Sequence, residues 1–196
     1  MENEKRLIII DSSSLLYRAF HALPPLTNKK GQPTGAVYGF LLTLFKAIAD
    51  VKANYVVACL DTKEKTFRHE QFDGYKAHRA APPDPLVSQF PMVEQVLSAL
   101  NIPMFKKAGF EADDMLGTIV EELKGNTDVD IVIASGDMDT LQLVNDKRVQ
   151  VYTLRKGLND TILYDEDAVI ERYGFPPARV VDYKALRGDP SDNIPG

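Results

Sequence analysis

Apolar residues fall along the chain in short continuous blocks, and several blocks end in an acid. Leu7-Ile8-Ile9-Ile10 is closed by Asp11, Tyr55-Val56-Val57-Ala58-Cys59-Leu60 by Asp61, and Ile131-Val132-Ile133-Ala134 leads into Ser135-Gly136-Asp137. Runs of this length, rich in β-branched residues, predict strands covered on both faces. Shorter strands are predicted at Ile102–Phe105 and Val149–Leu154. Between them lie stretches with helical spacing. Ser12-Ser13-Ser14 offers an N-cap for a helix to about Phe20. Further helices are expected over about Gly35 to Val51, Leu86 to Leu100 and Glu111 to Leu123, with two short ones closing the chain. Pro24 to Pro33 reads as a loop, and residues 62–85, charged and aromatic before Pro82-Pro83-Asp84-Pro85, as a protruding segment. Strands alternating with helices predict an α/β domain with a mostly parallel central sheet flanked by helices.

Composition narrows the class. At 196 residues, 44% hydrophobic and 26% charged, the chain suits one globular domain. No apolar run is long enough to span a bilayer. Met1-Glu2-Asn3-Glu4-Lys5-Arg6 does not read as a secretion signal. The single cysteine, Cys59, excludes an internal disulfide and fits a reducing cytoplasm. A net charge of −5 counts against a nucleic-acid partner when taken as a sum. The acids are clustered, however, and their placement decides more than their number.

Asp11, Asp61 and Asp137 sit at the carboxyl ends of predicted strands, the edge where open α/β sheets bind ligands. Glu111-Ala112-Asp113-Asp114 opens a helix, Asp139 follows Asp137 by two, and Asp189 and Asp192 are three apart. Any one of these acids alone is explained by capping or a turn. Doubled acids at several strand ends are not. Carboxylates gathered at one edge need cations, and oxygen donors without a His or Cys cluster suit Mg²⁺ or Mn²⁺. Two such ions about 3.5–4 Å apart form the usual clamp for phosphodiester hydrolysis.

Here the sequence resembles a known family. Ile9 through Pro24 (IIDSSSLLYRAFHALP), Phe67-Arg68-His69-Glu70, Tyr75-Lys76-Ala77-His78-Arg79, Gly109 through Asp114 (GFEADD) and Gly188 through Gly196 (GDPSDNIPG) are similar, in order, to signatures of the 5′ nuclease family found at the start of bacterial DNA polymerases I. The resemblance covers essentially the whole chain. It implies a PIN-like core with a helical arch at about 62–85, and metal-dependent cleavage of DNA at 5′ ends, flaps, nicks and RNA primers. It implies one ion on Asp11, Asp61, Glu111 and Asp113, a second toward Asp137, Asp139, Asp189 and Asp192, and Asp114 as an outer or bridging partner. Lys76 and Arg79, three apart, would share a helix face and grip the scissile phosphate. Tyr75 would stack on an unpaired base, and Arg68 and Arg18 would add substrate contacts. Tyr17 and His21 are expected to line the substrate path or to pack. Gly35 and Gly39 fit either a close approach of DNA backbone or tight helix packing. A polymerase domain or partner and a bacterial cytoplasmic, nucleoid-associated setting belong to the same implication.

Family members continue beyond Gly196 into a helix–hairpin–helix-like element that grips duplex DNA. The expectation for residues 1–196 is therefore a catalytic core with sound metal binding and weakened DNA binding. Rival readings are a DNA-binding form that does not cut and a PIN-like ribonuclease. An aspartyl-phosphate phosphatase is disfavoured because Asp11 is followed by three serines. A nucleotide switch is disfavoured because no glycine-rich loop follows the first strand.

Overall fold

A computed structural model describes residues 5–126, 128–158 and 160–196; Met1–Glu4, where the reading of the N-terminus as free of a secretion signal begins, lie outside them. The elements run β1 (Lys5–Asp11), α1 (Ser12–Ala22), α2 (Gly35–Val51), β2 (Tyr55–Cys59), α3 (Phe67–Gln71), α4 (Asp84–Val87), α5 (Phe90–Ala99), β3 (Met104–Phe105), α6 (Ala112–Leu123), β4 (Val129–Ala134), β5 (Val149–Lys156), β6 (Asp160–Tyr164), α7 (Glu166–Tyr173) and α8 (Val180–Arg187). Short 3₁₀ turns cover Met138–Leu143 and Pro177–Arg179. One sheet has the order β3-β2-β1-β4-β5-β6, parallel except for the last pair. No helix among the described residues is long and apolar enough to cross a membrane.

The apolar runs form strands because each is buried from both sides. Along β1, Ile8 and Ile10 join a cluster with Leu15, Phe40, Leu44 and Leu97. Leu7 and Ile9 join the opposite cluster with Leu116, Val120, Leu141 and Val169. The pleat thus sends alternate residues of Leu7–Ile10 into two cores, so this stretch has no place for a polar side chain until the strand ends. That end is where Asp11 lies.

Helix α2 shows the matching 3.6-residue logic, with Ala36, Val37, Phe40, Thr43, Leu44, Ala47 and Val51 on its buried face. Gly39 makes this packing possible: a Cβ there would come within 2.8 Å of Leu23 Cδ1 and 2.9 Å of Ala19 Cβ. Close approach of α1 to α2 is therefore what Gly39 serves, and Gly35 similarly faces the backbone of Pro24 and Leu26. The predicted helix at 86–100 is broken into α4 and α5. Pro91 has no N–H to continue the ladder back to Val87, and the chain turns at Ser88-Gln89. Gln89, 1% exposed, uses the break: its Nε2 donates to Pro85 O (2.8 Å) and its Oε1 accepts the Val37 N–H at the start of α2 (3.1 Å). Strand β6, returning antiparallel on β5, was not anticipated from the sequence.

Register places the functional edge. Asp11 pairs with Cys59 and Ile10 with Ala134, so Asp61 and Asp137 lie two and three residues beyond the strand level of Asp11 or its neighbour. Strand order reverses on either side of β1, with β2 and β3 on one flank and β4 and β5 on the other. The crevice at such a reversal is where this architecture binds ligands.

Candidate active site

Eight carboxylates line one cavity of about 600 Å³ at that edge: Asp11, Asp61, Glu111, Asp113, Asp137, Asp139, Asp189 and Asp192. They are scattered along the chain, and the ends of β1, β2 and β4, the start of α6 and the loop after α8 bring them together.

Each acid is held by local structure. Asp11, 3% exposed, rather than the serines after it, is the N-cap of α1 and accepts the Ser14 N–H (3.1 Å). Its other oxygen accepts from the buried Ser135 hydroxyl (2.6 Å). Because Ser135 has one proton and gives it to Asp11, the hydroxyl of Ser14 must donate in the 3.2 Å contact between the two serines. Ser135 Oγ also receives the Asp137 N–H (2.9 Å), so one hydroxyl ties the ends of β1 and β4. Asp61 accepts the Ala112 N–H at the start of α6 (2.8 Å), where the helix dipole favours an anion. Asp137 caps the following 3₁₀ turn through the Asp139 N–H (2.8 Å).

Electrostatics identify the group that most needs a cation. Burial, with Asp11, Asp137, Asp61 and Glu111 nearby, pushes the Asp113 carboxyl up to about 8. Burial likewise raises Asp11. Asp139 is raised by burial and by its neighbours Asp137 and Asp189, against the pull of Lys184. Asp189 differs: burial works upward but is outweighed by Lys184 and by the Ser191 hydroxyl and N–H, which bring it down to about 2. Lys184 Nζ lies 2.9 Å from both Asp139 and Asp189, yet only Asp189 has the two further donors. A cluster of oxygen donors in which burial and neighbouring acids raise Asp113, Asp11 and Asp139 fits a hard divalent cation.

The positive charge now among them is the protein's own. Lys76 Nζ sits 2.7 Å from Glu111, Arg79 pairs with Asp192, and Lys184 bridges Asp139 and Asp189. Among the described residues, no three His, Cys, Asp or Glu side chains form a ready-made ion cage.

Several sequence expectations change here. Lys76 and Arg79 do reach one side of the cavity, but not from a helix. Residues 73–78 are consecutive turns and Lys76 has φ +55°, so no helix runs through Lys76 and Arg79, and Pro82 and Pro83 follow. The arch expected at 62–85 contains only the five-residue α3 and the start of α4. Tyr75 lines the cavity but is 6% exposed and its hydroxyl donates to Glu111 (3.0 Å), so it braces the acid and leaves little ring open for a base to stack on. Arg68 holds Asp114 in a two-bond fork (2.8 Å each), and Asp114 in turn accepts the Glu111 N–H (2.9 Å). Burial of Asp114 works upward, but these bonds outweigh it and lower its carboxyl. Asp114 and Arg68 thus brace the start of α6, and Asp114 lies beside the common cavity rather than on it. Arg18 is committed to the carbonyls of Leu154 and Arg155 at the end of β5. Tyr17 and His21 line an adjoining cavity of about 500 Å³ that shares Asp137, Asp139 and Lys184 with the main one.

Two participants were missed. Lys184 pairs locally with Asp189, but only the approach of α8 to the 3₁₀ turn at Asp139 turns that pair into a bridge. Ser135 had a local signal: a serine two residues before an acid at a strand end is placed to accept that acid's N–H.

With this geometry in place, residues 6–174 match the 5′-3′ exonuclease, N-terminal resolvase-like domain. The chain belongs to that family. DNA polymerase I of Caldicellulosiruptor bescii is 45% identical over 193 residues, covering 97% of this chain and 22% of the polymerase. That of Bacillus subtilis is 40% identical over 196 residues, covering 100% of this chain and 22% of the polymerase. The chain therefore spans about a fifth of the length of these curated relatives. Among solved structures, the T5 D15 protein co-crystallised with metal ions aligns with a TM-score of 0.76 at 25% identity, over 98% of this chain and 70% of that one. T5 5′-exonuclease with zinc ions bound aligns with a TM-score of 0.74 at 25% identity, over 98% and 70%. The mixed six-stranded α/β fold seen here is similar to that of the T5 protein.

Proposed function

We propose that this chain is a 5′ nuclease core that hydrolyses phosphodiester bonds in DNA carrying a free 5′ terminus, at flaps, nicks and RNA-primed ends. The observation that carries the proposal is the single cavity lined by eight carboxylates with Lys76 and Arg79 at its rim. The metal-bound T5 relatives support divalent-cation dependence, and the polymerase relatives support a DNA substrate and a neighbouring polymerase domain.

In this reading Asp11, Asp61, Glu111 and Asp113 hold one Mg²⁺ or Mn²⁺, and Asp137, Asp139, Asp189 and Asp192 a second, with Asp114 behind the first. Divalent cations held there supply Lewis-acid activation of water and neutralise charge building on the phosphate. The protein does the rest. Ser135 and the Ser14 N–H keep Asp11 aimed into the cavity, Tyr75 does the same for Glu111, and Arg68 holds Asp114 beside it. Lys184 spares the fold part of the repulsion between Asp139 and Asp189. Lys76 and Arg79, each engaged with a carboxylate, would exchange that partner for a phosphate oxygen of the bound strand. Residues 62–85 form the element past which the 5′ strand runs, and residues 1–196 act as one catalytic core. A bacterial cytoplasmic, nucleoid-associated setting follows from the same reading.

The test compares a labelled 5′-flap duplex with an RNA hairpin, each incubated with the chain and Mg²⁺. Cutting of the flap near its junction and not of the hairpin is expected. Cutting of the hairpin alone would make the chain a PIN-like ribonuclease, and cutting of neither a DNA-binding core without activity.

A further inference from the structure

The segment that brings Lys76 and Arg79 to the cavity has little to hold it in place by itself. Its own bonds are those of successive turns: Tyr75 N–H to Phe72 O, Ala77 N–H to Gly74 O and Arg79 N–H to Lys76 O. Two things do the holding: the buried Tyr75, whose hydroxyl donates to Glu111 (3.0 Å), and a distant loop, residues 188–194. Asn193 Nδ2 donates to Gly74 O (2.9 Å) across 119 residues of sequence. The Lys76 N–H donates to Asp192 O (3.0 Å), and Arg79 Nε to Ser191 O (2.9 Å). The loop is internally closed, with Asp189 and Ile194 exchanging both N–H···O bonds at 2.9 Å. The loop that carries two of the acids thus also carries the amide that fixes the cationic segment.

Two backbone details fit this clasp. Asn193 has φ +62°, a left-handed conformation that asparagine tolerates better than most residues. Gly74 leaves room for it: a Cβ at 74 would lie 2.6 Å from Phe72 Cζ and 3.1 Å from Asn193 Nδ2. Asn193 makes the one side-chain amide bond between the two segments, while the other ties are backbone or belong to Arg79.

We infer that Asn193 is a positioning residue: its amide clasps the Gly74 carbonyl and so sets Lys76 and Arg79 over the cavity, where they meet the scissile phosphate. The inference rests on the nuclease reading above. Asn193 acts through Lys76 and Arg79, so its removal acts on the chemical step more than on substrate capture.

Two variants separate the amide from the backbone. Asn193→Gly keeps the left-handed turn and deletes the donor; Asn193→Asp keeps the size and sets an acceptor against the Gly74 carbonyl. Amide exchange of residues 74–79 is measured first, without substrate. Single-turnover cleavage of a 5′-flap duplex with Mg²⁺ follows, with Asn193→Gly also made in a Lys76→Ala background. One solvent-facing hydrogen bond predicts exchange about three- to tenfold faster in both variants and a similar fall in the single-turnover rate. KM should move less than about twofold, and Asn193→Gly should cost less rate in the Lys76→Ala background than alone, the part that remains acting through Arg79, as expected for coupled groups. Unchanged exchange at 74–79 would overturn the inference, and so would a full additive loss in the Lys76→Ala background. If the unaltered chain does not cut the flap, the nuclease reading fails, and the exchange measurement by itself still decides whether the clasp exists.

Discussion

Asp113→Asn should stabilise the metal-free protein while destroying its response to Mg²⁺. Asp113 lies among Asp11, Asp137, Asp61 and Glu111, and burial with this company raises its carboxyl from 3.8 to about 8. Between those values the unfolded chain gives up the proton and the folded chain keeps it, so stability falls as pH rises through the window and levels off above about 8. A tenfold change in proton affinity corresponds to about 1.4 kcal/mol, and after relaxation of the site the penalty at pH 8 is on the order of 2–4 kcal/mol. An asparagine carries none of it. In EDTA, the Tm of Asp113→Asn should therefore match the wild type near pH 4 and exceed it by about 5–10 °C at pH 8, on the usual scaling for a domain of this size. Adding Mg²⁺ at pH 8 should raise the wild-type Tm and leave the variant nearly unmoved, because a bound cation is what makes the ionised cluster tolerable. A variant less stable than wild type at pH 8, or a Tm difference that does not grow with pH, would refute the claim that uncompensated carboxylate charge dominates this site.

The scaffold yields two more predictions. Arg68→Met leaves Asp114 without its two-bond fork and frees the start of α6; a loss of about 1–3 kcal/mol is expected in urea unfolding, with Mg²⁺ affinity weakened through Glu111. Ile9→Ala empties a fully buried position in the core between the sheet and α6, and should cost about 2–5 kcal/mol with no change in m-value.

Much of the fold was legible because its cause is local. A stretch of strand covered on both faces must be apolar, and Leu7–Ile10, Val56–Leu60 and Ile131–Ala134 announce themselves as unbroken runs with an acid at or just beyond the end. The acids at those stops were legible for the same reason, since the sheet edge is the first place the chain can expose charge. What failed depends on contacts between distant segments or on a single breaker. Pro91 divides a helix whose apolar spacing is otherwise continuous, and β6 is a short, half-polar edge whose only reason to be a strand is β5. Spacing put Lys76 and Arg79 on one side correctly, but a helix was the wrong cause: turns clasped by loop 188–194 do it instead. Tyr75, Arg68 and Arg18 have side chains suited to substrate, and only their partners in the fold show that all three are already engaged.

The central claim is that the carboxylate cavity cleaves DNA through divalent cations, and Asp137 tests it most directly. Asp137 lines the cavity, sits exposed enough to be replaced without disturbing the core, and caps only a short 3₁₀ turn. Cleavage of a labelled 5′-flap duplex should be measured with Mg²⁺, with EDTA, and with Asp137→Ala in Mg²⁺, alongside the Tm of each protein. The account predicts cutting near the flap junction with Mg²⁺ alone, none in EDTA, and a loss of at least about 10²-fold in Asp137→Ala with its fold intact, the scale on which removing a charge-organising group acts. Undiminished cutting by a folded Asp137→Ala, or cutting that persists in EDTA, would contradict it.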